Sequence, residues 1–189
     1  NFLVKGSDES TVTKTTLDGL STTWNGLDNY DGTPQLDSVG VFSPEARTTS
    51  TGTTPIRNRI FNPDKSLRST TFSGTSMFAS AAGIVHNFYS YYPHNNAYGT
   101  GSTFTGASAN NVPISLPEAQ TQTNSAVSHI AKLDFMVANP IAITPPSKAP
   151  IAKEEINFVY NHVFSLMEVT VVMPSGESAN LKRVDVTTS

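Results

Sequence analysis

The chain has 189 residues and a formal net charge of −3, and only 14% of its residues are charged. This length suits one large domain, and its twelve Lys and Arg residues are scattered, which argues against a surface for nucleic acid. The absence of cysteine excludes a disulfide framework, a thiolate zinc site and a thiol nucleophile. We therefore expect a single domain, spanning residues 1–189, that uses neither nucleic acid nor thiol chemistry.

Short apolar or alternating segments recur along the chain between polar segments that contain Gly and Pro. Thr is frequent throughout, and its branched Cβ favours extended backbone. This spacing predicts an all-β sandwich or barrel of about seven or more strands, with long loops over 44–54 and 98–111 and little helix. In chain order, we predict strands over 2–5, 11–17, 38–42, 70–73, 84–92, 112–116, 133–138, 156–173 and 181–186.

One segment is both the best helix candidate and a possible nucleophile motif. Residues 77–85 are rich in Ala, which favours a helix. The preceding Gly74-Thr75-Ser76-Met77 resembles the nucleophile segment of subtilisin-like serine proteases. All four histidines follow Ser76, whereas in that family the Asp and His precede the Ser. A Ser hydroxyl without a positioned base is a poor nucleophile, so we predict no catalytic residue and keep the protease as a remote alternative.

No metal or cofactor site is predicted either. Asp28, Asp31 and Asp37 lie near Gly32, but their spacing does not match a calcium-binding EF-hand loop. Asp and Gly in such a cluster are also the residues that a tight turn requires. The histidines are solitary, so a His-based metal site is not indicated.

Several segments, taken in order, follow a pattern known from another group of proteins. They are residues 13–17 with Trp24, residues 37–42, the aromatic Phe-Tyr-Ser-Tyr-Tyr-Pro at 88–93, residues 112–117 with Gln120, residues 133–138, and residues 156–166. Together they resemble the fimbrillin-like family of surface-anchored pilus proteins from anaerobic gut and oral bacteria. About a dozen residues separate Trp24 from Asp37, and the Gly expected before the Asp is missing, so this loop departs from the family pattern. The resemblance implies these structural site residues: Trp24, Asp37, Gly40, Phe88, Tyr89, Tyr91, Tyr92, Pro93, Leu116, Pro117, Asp134 and His162.

The resemblance implies a structural or adhesive subunit of a cell-surface fimbria, a lipoprotein of the outer membrane whose signal peptide is already absent. Its fold would be a transthyretin-like, Greek-key β-sandwich, forming the N-terminal domain of a subunit whose C-terminal domain is absent from this chain. Its partners would be other pilin subunits, joined when an incoming β-strand completes a groove in a neighbour. If residues 2–5 pair as an edge strand, they could be the exchanged segment, with Lys5, Lys14 or Arg47 in the cleaved loop.

The residues themselves leave a second function open, a surface module that binds host or microbial glycans or proteins. On an extended strand, Phe88, Ser90 and Tyr92 share one face, while Tyr89 and Tyr91 share the other. Large aromatic area on both faces places this strand in the middle of a sheet or under a long loop. The tyrosines could instead form a stacking surface for sugar, and Tyr91 is the residue whose replacement would test this.

Overall fold

A computed structural model of the chain describes residues 2–6, 23–29, 36–100, 111–116, 133–152, 156–164 and 176. These residues form nine strands: β1 (Phe2–Gly6), β2 (Val39–Arg47), β3 (Pro55–Pro63), β4 (Thr70–Gly74), β5 (Phe78–Ala79), β6 (His86–Tyr92), β7 (Met136–Ala138), β8 (Ile141–Ile143) and β9 (Asn157–His162). Two single-turn 3₁₀ helices, Leu27–Asn29 and Asn96–Tyr98, are the only helical elements in these ranges. The all-β prediction is confirmed. The strands predicted over 11–17 and 181–186, and residues 165–173 of the segment predicted over 156–173, lie outside the described residues. The strand predicted over 112–116 is wrong, since those residues belong to no strand.

All nine strands belong to one sheet, in the order β5-β2-β3-β4-β1-β9-β7-β6-β8. Because β2 also pairs with β6, the sheet curls until seven of its strands form a closed circuit of hydrogen-bonded neighbours. Every pairing is antiparallel except that of β1 with β9, which is parallel. The strand spacing predicted a sandwich or a barrel, and the resemblance implied a sandwich of two packed sheets. Hydrophobic periodicity alone cannot distinguish two packed sheets from one strongly curled sheet. The transthyretin-like topology is not confirmed.

The hairpin of β2 and β3 is responsible for much of this curl. Its register shifts between Val41 and Ser43 and again between Ser43 and Arg47, and such bulges bend a strand and increase its twist. Asn58 of β3 has a φ of 45°, in the left-handed region that Asn tolerates better than most residues. This irregularity interrupts the alternation of β3, so the sequence pattern missed that strand and extended the predicted loop over the end of β2.

The helix predicted over 77–85 is wrong. Phe78 and Ala79 form β5, which pairs with the end of β2. On its other side, the Ala79 N–H donates to the Ala149 carbonyl, and the Met77 carbonyl accepts from Ile151. The chain then turns, with Gly83 at a φ of 71°. Burial of Met77 and Ala79 in a sheet outweighs the weak helix propensity of the alanines.

The core lies inside the curl of the sheet. Four Phe side chains are fully buried, contributed by four different strands: Phe61, Phe72, Phe88 and Phe158. Trp24 packs its ring edge-to-face against Phe72, Tyr92 and Tyr160, with centroid distances of 5.1, 5.4 and 5.5 Å. Each such aromatic side chain contributes about 1.5–3 kcal/mol through burial, so this cluster fixes how the segment at Trp24 lies against the sheet.

Candidate functional site

The β1 strand lies between β4 and β9. It pairs antiparallel with β4, with Phe2 opposite Phe72, and parallel with β9, with Leu3 opposite Asn157 and Gly6 opposite Tyr160. The strand predicted at residues 2–5 is therefore confirmed, and it is an interior strand, so the condition that it pairs as an edge strand is not met. We call the space that β1 occupies between β4 and β9 the β1 groove.

The strands on both sides of the β1 groove carry core residues. Phe72 of β4 and Phe158 of β9 are fully buried, and Tyr160 is nearly so. The Tyr160 hydroxyl lies 2.5 Å from the Ser90 hydroxyl, which donates to the Gly40 carbonyl. Burial raises the pKa of Tyr160, so its hydroxyl remains protonated. The groove is thus bordered by backbone from two strands whose side chains belong to a rigid core.

A buried carboxylate fixes the segment that follows Trp24. The Tyr92 hydroxyl donates to Asp37 Oδ1 at 2.7 Å, and the Asn25 N–H donates to Asp37 Oδ2 at 2.7 Å. Desolvation, with the negative charge of Asp37, raises the pKa of Tyr92 well above its usual value, so Tyr92 stays a donor. Asp37 thereby joins the backbone at Asn25 to the end of β6.

A second acidic residue joins the start of β7 to the end of β9. Asp134 Oδ1 lies 2.5 Å from His162 Nδ1, and both side chains are about nine-tenths buried. The other oxygen, Asp134 Oδ2, is buried without a hydrogen-bond partner. The charge of Asp134 also contributes to the raised pKa of Tyr92. The structure thus brings Trp24, Asp37, Tyr92, Asp134 and His162 into one region.

The opposite face of β6 carries a network without charged groups. The Tyr91 hydroxyl donates to Asn58 Oδ1 at 2.6 Å and accepts from the Asn95 N–H at 3.0 Å. The Asn58 side-chain amide donates to the carbonyls of Asn95 and Gly99. A Cβ on Gly40 would lie 2.1 Å from the Tyr91 ring, which explains the glycine. Desolvation raises the pKa of Tyr91 to about 12, and the ring, 5% exposed, is no open stacking platform.

Ser76 is exposed, and the imidazole that follows it in sequence has other contacts. His86 is fully buried, with Nε2 accepting from the Ser80 N–H at 3.0 Å and Nδ1 lying 3.0 Å from the Ile84 carbonyl. Both ring nitrogens therefore hold the turn between β5 and β6. This geometry gives the subtilisin-like segment a structural role in that turn.

The remaining predicted residues are dispersed. Phe88 is in the core and Tyr89 is half-buried on the other face of β6, while Pro93 follows a cis peptide bond. Leu116 is exposed. Arg47 ends β2 and donates to the carbonyls of Pro44 and Ala46. Lys5 belongs to β1, whereas Lys14 and Pro117 lie outside the described residues.

The sequence reasoning missed Asn58, Ser90 and Tyr160 as network residues. Their partners are 33 to 70 positions away along the chain, so no local pattern marks them. The described ranges contain no group of three or more His, Asp or Glu side chains able to hold a metal ion. They also contain no helix long and apolar enough to cross a membrane.

Comparison with known proteins supplies one match. The profile of a family described as fimbrillin-like matches residues 29–189. No curated protein and no solved structure matches the chain. The matched region contains Asp37, Tyr92, Asp134 and His162, whereas β1 and Trp24 precede it.

Proposed function

The chain belongs to the fimbrillin-like family, and from this we propose that it is a structural subunit of a cell-surface fimbria that assembles by strand addition at the β1 groove. The family is generally structural and not enzymatic. Membership implies assembly with other pilin subunits at the cell surface. We also propose that its precursor is held at the outer membrane by a lipid anchor. The observation that carries it is the position of β1 between two strands that do not pair with each other.

Removal of β1 would leave two unpaired strand edges facing each other. The backbone donors and acceptors of β4 and β9 that now pair with β1 would have no partner, and unpaired edges readily bind another chain. An incoming strand of about five residues would restore both ladders, as in other complexes formed by β-strand addition. The register requires that strand to run parallel to β9 and antiparallel to β4.

The ends of the sheet are less suited to this role. β8 has only three residues and is followed by Pro145 and Pro146, with Pro140 before it. Proline lacks a backbone donor, and short strands flanked by proline resist edge-to-edge pairing. β5 has two residues and already pairs with Ala149 and Pro150 on its other side. Compared with β5 and β8, β1 is therefore the longer strand, and it pairs along both of its sides.

Release of β1 requires a cut between it and Trp24. Only Lys5, Lys14 and Arg47 are basic among the first 47 residues. Lys5 lies within β1 itself, and cleavage after Arg47 would divide the β2–β3 hairpin without freeing β1. Cleavage after Lys14 alone separates an intact β1 from the remaining strands, so we assign processing to Lys14.

Limited trypsin treatment followed by size-exclusion chromatography with light scattering tests this proposal. We expect cleavage at Lys14 to convert monomer into oligomers, and Lys14→Gln to remain monomeric under the same treatment. Arg47→Gln is the matched control and should oligomerise like the unmodified chain. A synthetic peptide of residues 1–6, added in excess, should block assembly by refilling the groove. Monomer alone, with β1 shown by mass spectrometry to be cut and released, would contradict strand addition.

A further inference from the structure

A small cavity lies against the face of β6 opposite the core. Its volume is about 230 Å³, and its lining includes Tyr91, Tyr98 and Phe135. The Tyr98 hydroxyl donates to the carbonyl of Pro113, which fastens two lining segments to each other. The rings of Tyr91 and Tyr98 lie 6.5 Å apart at an angle of 46°. The cavity is thus built from described segments that hold one another in place.

Three polar side chains of the lining retain hydrogen-bonding capacity. His94 Nε2 lies 3.3 Å from the Asn58 carbonyl, to which it can only donate, so the neutral ring leaves Nδ1 as an acceptor. Asn95 Oδ1 accepts from the Ala97 N–H, and its NH₂ group has no partner among the described residues. The Ser115 hydroxyl likewise has no partner there. The cavity is therefore bordered by a hydrogen-bond acceptor from His94, a donor from Asn95 and the hydroxyl of Ser115.

The described lining of the cavity carries no charge. No Lys, Arg, Asp or Glu is among the described residues that line it, and desolvation lowers the pKa of His94 below its usual value, so His94 is uncharged at neutral pH. A charged ligand would lose its hydration without gaining a counter-charge. The uncharged lining therefore favours a neutral ligand.

The size of the cavity limits the occupant further. Its volume exceeds that of the roughly 150 Å³ cavity that admits benzene and is below the roughly 300 Å³ at which pockets for drug-sized ligands begin. A ligand with one six-membered ring and its substituents has a volume within this range. A prolyl or aromatic side chain of a peptide would fill the space but would gain no hydrogen bonds from the three polar groups.

We propose that this cavity binds a single neutral pyranose unit of a glycan. The sugar ring contacts Tyr98 and Phe135, and its hydroxyls pair with His94, Asn95 and Ser115. None of these residues lies in β1, β4 or β9. Glycan binding and strand addition are therefore separable properties, and the failure of one leaves the other intact.

A titration of the purified full chain with methyl pyranosides, followed by ¹H–¹⁵N correlation spectra, tests the proposal. The probes are the methyl glycosides of glucose, galactose, mannose and N-acetylglucosamine. We expect at least one to bind with a Kd on the order of 1 mM, as a small ligand with few contacts permits. The shifted amides should cluster at residues 93–98 and 112–115.

Two variants and one control locate the binding. Tyr98→Ala should weaken binding by about tenfold because it removes an aromatic wall. Asn95→Asp keeps the oxygen that accepts from Ala97 but removes the amide donor, and should also weaken binding by about tenfold. Tyr89→Ala changes the same face of β6 outside the cavity and should leave binding unchanged. Thermal unfolding of each variant verifies that it folds.

Three results would overturn the proposal. The first is no localised shift with any of the four sugars up to about 100 mM, two orders of magnitude above the expected Kd. The second is unchanged sugar binding by a folded Asn95→Asp variant together with a folded Tyr98→Ala variant. The third is saturation of the cavity by a proline-rich peptide when none of the sugars binds, which would identify a peptide site instead.

Discussion

Each face of β6 buries a tyrosine hydroxyl, and the two hydroxyls donate to different kinds of acceptor. Tyr92, on the core face, donates to the carboxylate of Asp37, whereas Tyr91, on the opposite face, donates to the neutral amide of Asn58. Both hydroxyls are buried and both have a raised pKa. A hydrogen bond to a charged group contributes about 1.5–3 kcal/mol, roughly twice that of a neutral pair. The Tyr92–Asp37 contact on the core face therefore contributes more to stability. The Tyr91–Asn58 contact holds a wall of the cavity in place without burying a charge.

The two networks also hold different parts of the chain. The core-face network fastens Trp24, Asn25 and Asp37 to β6 next to the strands that border β1. The opposite network fastens the loop after β6 over the sheet through the carbonyls of Asn95 and Gly99. In the proposed assembly, the core-face network must remain intact when β1 is lost. Its contacts must therefore be strong enough to hold without β1.

Trp24→Ala should cause the largest loss of stability, because it removes the ring that contacts Phe72, Tyr92 and Tyr160. Truncation of a buried Trp costs about 3–5 kcal/mol. Urea unfolding followed by circular dichroism measures this change. Leu27→Ala, at an exposed position nearby, is the control and should change the free energy of unfolding by less than about 0.5 kcal/mol. A small effect of Trp24→Ala would mean that the Trp24 ring is not part of the core.

Gly40→Ala should come next and should act on the neutral network from β2. The new Cβ would lie 2.1 Å from Tyr91 Cε1 and 2.8 Å from Asn58 Oδ1, so the Tyr91 ring must move and its hydrogen bond must break. Overpacking of this kind costs about 1–3 kcal/mol. The double variant Gly40→Ala with Tyr91→Ala removes the obstructing ring, and additive losses in the urea midpoints would argue against this clash.

The aromatic strand β6 shows which features of the fold can be predicted from the sequence. Its alternation correctly predicted that Phe88 and Tyr92 share the core face, since a strand's period of two needs only local information. The resemblance to a family named Asp37, Tyr92, Asp134 and His162, but not which of them pair, because those contacts join positions far apart along the chain. Asn58 was missed because its left-handed backbone breaks the alternation on which the strand prediction relied. The curl of the sheet depends on the β2–β6 pairing, which no segment encodes alone.

A pair of matched variants measures the contrast between the faces directly. Tyr92→Phe leaves Asp37 Oδ1 without the Tyr92 donor and should cost about 2–3 kcal/mol, whereas Tyr91→Phe removes neutral hydrogen bonds and should cost about 1 kcal/mol. Both changes keep the ring, so packing is the control within each variant. Urea unfolding at pH 7.5 compares them. Equal losses, or a larger loss at Tyr91, would refute the assignment of the stronger contact to the core face.

The smallest expected effect is a pH dependence that belongs to the face with the cavity. Burial lowers the pKa of His94 in the folded state below its usual 6.5. As the pH falls below about 6.5, the unfolded chain takes up a proton that the folded chain does not, so the free energy of unfolding decreases until the pH passes the folded-state pKa. His94→Gln cannot take up this proton and should lose less stability between pH 7.5 and pH 5.5, as measured by urea midpoints. Identical pH profiles for the two proteins would show that His94 titrates as an exposed group, and the cavity would then have a charged wall in mild acid.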